Sequence, residues 1–198
     1  MLGIDPGTRV AGYGVLDVVP GQTPTLVGCG PIHLPIAPMG RRLESLHREL
    51  TRILLEHRPH VLAVETVFQG KSFQSVVKVG EARGVVLLLA QLHGLAIHEF
   101  TPASVKKTVT GNGRATKSQV QRMVTRILGL SETPAPVDVS DALAIAFCYG
   151  QRVWRDRLGA GAPGASARRR SRAAESRRWE ALIARRAAAG GSSGRGES

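Results

Sequence analysis

The sequence predicts an α/β fold, a five-stranded mixed sheet flanked by helices. Three observations point to it. Short apolar runs bounded by Pro/Gly turns recur at 2–5, 11–18, 25–34, 61–64 and 96–100. Apolar residues at helical spacing fill the stretches between the later runs. The first and fourth runs are apolar almost throughout, as strands near the centre of a covered sheet are.

Met1-Leu2-Gly3-Ile4 leads into Asp5, and Pro6-Gly7 turns the chain into a second strand containing Gly12-Tyr13-Gly14-Val15-Leu16. A Pro/Gly-rich turn at 20–24 opens the third strand, 25–34. Leu43, Leu46, Leu50, Ile53 and Leu54 then recur at helical spacing, with Arg42, Glu44, Glu49 and Arg52 on the other face. Pro59 ends that helix, and the strand 61–64 stops at Glu65. Residues 74–92 read as a largely apolar helix in which Gly80 and Gly84, four apart, are expected to admit a close backbone neighbour. The fifth strand is 96–100. Helices follow at 104–109 and 116–128, around a loop at Gly111-Asn112-Gly113, and a last helix runs from 138 to 154 after Pro134-Ala135-Pro136.

At 198 residues and 42% hydrophobic composition, the chain holds one ordinary domain with a real core. No apolar run approaches a membrane span, and the N-terminus lacks a signal-peptide pattern. Cys29 and Cys148, without metal-ligand spacing, read as reduced packing residues of a cytoplasmic protein. The expected organisation is a folded body, 1–157, and a basic, disordered tail, 158–198, with a short helix around Trp179, Leu182 and Ile183. The net charge of +12 points to a polyanionic partner, nucleic acid before membrane. Nine arginines against three glutamates put half of that excess in the tail, so the body carries +6 of its own.

In so basic a chain, Asp5, Glu65, Asp138 and Asp141 draw notice because each borders a buried apolar stretch. Carboxylates placed there require partners. If strands 1 and 4 are parallel neighbours, Asp5 and Glu65 end side by side, ~5 Å apart. Asp138 and Asp141, three apart at a helix start, share a face. Converging, the four would raise one another's pKa values and form an oxygen-rich cup for Mg²⁺ or Mn²⁺. Two such ions ~3.5–4 Å apart clamp the attacking and leaving oxygens of a phosphodiester. The structural alternatives are helix capping by Asp138 with Asp141 in the first turn and a simple turn at Asp5. Glu65, ending an apolar strand, is hardest to explain that way, and the four together favour the metal site.

Residues 111–118, Gly-Asn-Gly-Arg-Ala-Thr-Lys-Ser, look like a phosphate loop, but Thr116 stands where the Walker pattern needs glycine. Lys106, Lys107, Arg114 and Lys117 are instead candidates for contacting a DNA backbone, the alternative being a solvated basic face. His57 and His60 flank Pro59 and do not align as ligands. Phe68, in the polar loop Phe68-Gln69-Gly70-Lys71-Ser72, is placed to stack on an unpaired base, or else folds back onto the body.

Five segments, in order between residue 2 and about 150, closely resemble the RuvC Holliday-junction resolvases: Gly3 to Gly14, Val64 to Phe68, Lys78 to Gly84, Val105 to Gly111 and Asp138 to Ala146. The resemblance implies an RNase H-like fold, a homodimer, and Mg²⁺-dependent nicking of two symmetric strands of a four-way junction in DNA recombination and repair. It assigns Asp5, Glu65, Asp138 and Asp141 to a site holding two ions, Phe68 to base stacking, and Lys106 and Lys117 to the scissile phosphate. A RuvAB-type branch-migration complex is the implied partner. The chain departs from the pattern in its few residues before Asp5, in Ser72 where many members carry Asn, and in its long Arg-rich tail. An actin-like ATPase, suggested by the Gly3-Ile4-Asp5 opening, and a DNA-binding protein without activity are the rival readings. DNA-independent ATP turnover or absence of metal-dependent scission would mark them.

Overall fold

The computed structural model describes residues 1–19, 21–66 and 73–159. The chain divides into a unit Met1–Trp154 and a second, Arg155–Ser198, of which only the end of the last helix is described. The expected helix around Trp179 lies outside the described residues.

The elements are β1 (Leu2–Asp5), β2 (Val10–Asp17), β3 (Thr25–His33), α1 (Met39–His57), β4 (Val61–Glu65), α2 (Phe73–Leu92), β5 (Ala96–Phe100), α3 (Pro102–Thr110), α4 (Lys117–Ile127) and α5 (Val137–Gly159). The strands form one mixed sheet in the order β3-β2-β1-β4-β5. β1 pairs antiparallel with β2 and parallel with β4, and β4 is parallel to β5. The two apolar strands are therefore adjacent and central, as expected.

Strand alternation sorts side chains onto two faces. Leu2 and Ile4 of β1 join Leu46, Leu50 and Ile53 of α1 and Val86 and Leu89 of α2 in one buried layer. Burial of each large apolar side chain contributes ~1.5–3 kcal/mol. Ala63 of β4 faces the opposite layer, with Val105 and Val109 of α3, Val120 and Val124 of α4 and Leu143 and Ile145 of α5.

That second layer is held close by glycine. A Cβ on Gly3 would strike the carbonyl oxygen of Ala142, and one on Gly12 that of Asp138. Gly14 likewise lies against Leu143. The start of α5 thus rests directly on the backbone of β1 and β2, beside Asp5.

Helix ends are set locally. Arg58 terminates α1 in a left-handed conformation at φ 43°, its N–H bonding the Leu54 carbonyl just before Pro59. Thr116, in the phosphate-loop look-alike, is the N-cap of α4, and with Gln119 it forms a reciprocal capping box. A Cβ on Gly80 or Gly84 would meet nothing within 4 Å, so no described backbone takes up the approach that these glycines allow on this face of α2. The glycines lie opposite Ala82, Val86 and Leu89, the residues α2 buries.

Candidate active site

The parallel register pairs Gly3 with Ala63 and Ile4 with Val64. One step further, Asp5 and Glu65 end neighbouring strands. By alternation each shares the face of Gly3 and Ala63, the side covered by α5. Asp138 lies in the first turn of α5, within its helix rather than capping it, and Asp141 is one turn on. Because α5 sits on Gly3 and Gly12, its first two turns reach the end of β1 that carries Asp5. All four carboxylates line one cleft of about 900 Å³.

Electrostatics agree with the convergence. The carboxyl of Asp5 is pushed up to about 7, first by burial, then by the charges of Asp141 and Glu65 and, less, Asp138, against the lowering pull of Lys117. Lys117 Nζ binds Asp141 Oδ2 at 2.7 Å. Burial works against that ammonium, but the Asp141 bond and the Asp5 and Asp138 charges outweigh it and hold its pKa above the usual value. Among the described residues, no three Asp, Glu, His or Cys side chains close on one point as a finished ligand set. The acids ring the cleft, and Lys117 is the cation that neutralises them. Four hard oxygen donors from three elements, with no sulfur or imidazole, suit Mg²⁺ or Mn²⁺.

Of the four candidate DNA-contacting cations, Lys106 and Lys117 line the cleft. Lys107 and Arg114 are exposed and do not. Lys106 and Lys107 differ by the ~100° that separates consecutive helical residues. Phe68 lies outside the described residues, as does Ser72.

The structure adds residues that the sequence did not single out. Arg42 of α1 donates from Nε to the Ala37 carbonyl at 2.8 Å and from Nη1 to the Thr8 carbonyl at 3.2 Å, bracing the turn after Asp5. Arg83 of α2 pairs with Glu99 at 2.8 Å and donates to the Glu65 carbonyl at 3.4 Å, bracing the end of β4. Arg9 and Lys78 also border the cleft.

A family described as "Crossover junction endodeoxyribonuclease RuvC" matches residues 1–149. A protein of that name from Pelotomaculum thermopropionicum is 46% identical over 160 residues, covering 80% of this chain and 97% of its own. Another from Chromohalobacter salexigens is 43% identical over 171 residues, 86% of this chain and 89% of its own. The structure of T. thermophilus RuvC in complex with Holliday junction substrate superposes with a TM-score of 0.73 at 34% identity, covering 78% of this chain and 94% of that one. The fold is RNase H-like.

Proposed function

The chain belongs to the RuvC family of crossover junction endodeoxyribonucleases, and we propose that Asp5, Glu65, Asp138 and Asp141 are the carboxylates with which it cuts DNA. It is a structure-specific endodeoxyribonuclease that resolves Holliday junctions by hydrolytic nicking of two symmetric strands. The reading of the site is carried by one observation: Asp5 and Glu65 end adjacent parallel strands on the face where the glycine-seated helix α5 delivers Asp138 and Asp141.

Two divalent ions, Mg²⁺ before Mn²⁺, fit this donor set and, when bound, supply a water nucleophile and stabilise the charge that develops on the phosphoryl and leaving oxygens. Asp5, which feels the charges of the other three, fixes the position of the cluster, and Glu65 and the α5 pair flank it. Lys117 and Lys106 line the same cleft and are placed to hold the scissile phosphate, the former on releasing Asp141. The family likeness gives Phe68 the role of stacking on an unpaired base, and Lys107 and Arg114 are exposed cations available to a DNA backbone.

Two symmetric cuts require two sites related by a two-fold axis, so the active form is a homodimer. Helix α2 supports this. Its outward side carries Phe73, Val77, Gly80, Gly84, Leu88 and Leu92, interrupted by the exposed Glu81 and Gln91, with Phe73 82% and Leu92 69% exposed. A helix apolar on both faces is one that is covered on both. The body 1–157, with its basic tail 158–198, acts in the cytoplasm with a RuvAB-type branch-migration complex. No described helix is long and apolar enough to cross a membrane.

The test is incubation with a synthetic four-way junction with and without Mg²⁺. Paired nicks that need the ion, and that vanish in Asp5→Asn while junction binding persists, are expected. Undiminished cutting by Asp5→Asn would end the assignment.

A further inference from the structure

Outside the acidic cleft, charge is concentrated in one place. From Thr101 to Leu128, α3, the following turn and α4 carry six cations, Lys106, Lys107, Arg114, Lys117, Arg122 and Arg126, and no Asp or Glu. Residues 1–157 hold 18 Lys and Arg against 12 Asp and Glu. Without the six, 12 cations face 12 carboxylates, so the body's whole surplus of +6 resides on this helical pair.

Lys117 and Lys106 are absorbed by the cleft. Arg122 and Arg126 are not: both are exposed, one turn apart on α4, and they line a separate groove of about 460 Å³ with Thr110, Asn112 and Gln119. Neither arginine makes an ion pair with a described residue. A merely solvated basic face in this protein looks different. On α1, the exposed Arg41, Arg48 and Arg52 each pair with Glu44, Glu49 or Glu56.

The neutral lining is turned the same way. Asn112 Oδ1 accepts the Arg114 backbone N–H at 3.0 Å, and Gln119 Oε1 accepts that of Thr116 at 2.8 Å. Those backbone donors fix both amide oxygens, so the NH₂ ends are what remain to donate into the groove. Two guanidinium forks and two amide donors, with no carboxylate among the lining residues, suit a row of phosphodiesters. Arg122 and Arg126 stand ~6 Å apart, while each strand of a duplex advances ~3.4 Å per phosphate along the axis. The pair can therefore engage nearby phosphates of one strand.

We infer that the Arg122–Arg126 groove is a second DNA-contact site, which holds the phosphodiester backbone of a duplex arm leading away from the cleavage cleft. It rests on the nuclease reading of the cleft. Lys117 opens α4 at the acidic site, and Arg126 lies ~13 Å further along the same axis on another face. A strand that left the cleft along α4 would pass this outer side of the helix.

The experiment measures binding of the full-length protein to a labelled four-way junction and to a linear duplex, without divalent ions, over a series of salt concentrations. In Arg122→Gln/Arg126→Gln, the slope of log affinity against log salt should become shallower by about 1–2 on both DNAs. Low-salt affinity should fall by about tenfold or more, and the curves should converge as salt rises. Arg122→Lys/Arg126→Lys should restore most of the slope, which damage to α4 would not allow. Parental slope and affinity in the Gln variant would overturn the inference and leave an acidic protein surface as the groove's partner. A Lys variant as weak as the Gln variant would overturn it too. If the parent itself neither binds nor cuts the junction, the nuclease reading fails, whereas failure of the groove alone leaves parental cutting intact.

Discussion

Asp5 and Glu65, sixty residues apart in sequence, end adjacent parallel strands one step beyond the Ile4–Val64 pair and share a face. Asp5→Asn and Glu65→Gln each preserve shape and remove one charge from this pair. Several kcal/mol of charge stabilisation should go with it, slowing cleavage by roughly 10²–10⁴-fold. Single-turnover nicking of a four-way junction, with binding followed separately, checks this.

The raised pKa of Asp5 has a measurable sign. Its folded value of about 7 exceeds the ordinary 3.8, so the metal-free folded state binds more protons than the unfolded chain between those values. Stability in chelator should therefore fall as pH rises from about 4 to 7 and level off above. Asp5→Asn should remove most of this dependence and gain up to about 4 kcal/mol at pH 8. Thermal melts in EDTA at pH 5 and pH 8 make the comparison. A variant no more stable than its parent at pH 8 would contradict it.

Lys117 occupies the place of a cation among the acids, bonded to Asp141 at 2.7 Å. Lys117→Ala should leave the cleft more negative and raise Mg²⁺ affinity a few-fold by titration calorimetry, yet slow nicking by about tenfold or more because a phosphate-holding charge is lost. The two parameters should move in opposite directions.

Gly12→Ala tests the seating of α5, since the added methyl would run into the Asp138 carbonyl. Overpacking of this kind costs ~1–3 kcal/mol. The variant should also lose nicking where it remains folded, because α5 carries two of the acids. Chemical denaturation and activity below the midpoint separate the two losses.

The outward stripe of α2 predicts the assembly. Leu88, 56% exposed, should tolerate Leu88→Glu with little effect on the fold of one chain, while sedimentation shifts from dimer to monomer. A variant that sediments with its parent would remove α2 from the interface.

The four acids were legible because each borders an apolar run, a position where burial makes charge conspicuous. Their convergence needed one further fact, the parallel β1–β4 pairing, which the apolar character of both strands already favoured. Side chains one residue apart on a helix were not legible. Lys106 faces the cleft and Lys107 does not, and only the packing of Val105 and Val109 sets that rotation. Gly80 and Gly84 were expected to allow a close backbone approach, and none of the described backbone takes the place. The glycines that do admit one, Gly3 and Gly12, looked like ordinary strand residues, because the helix that rests on them comes more than a hundred residues later. Arg42 and Arg83 escaped notice for a related reason: each braces the site through a backbone carbonyl, which leaves no trace in composition.

Where α5 meets β1 and β2, main chain lies on main chain. Such a joint has no rotamers to rearrange, so mutation elsewhere in the interior cannot be absorbed there by side chains shifting aside. The spacing between strand-borne and helix-borne acids is consequently a dimension of the scaffold. It should persist unchanged in variants whose hydrophobic layers have been extensively rewritten, provided Gly3 and Gly12 stay.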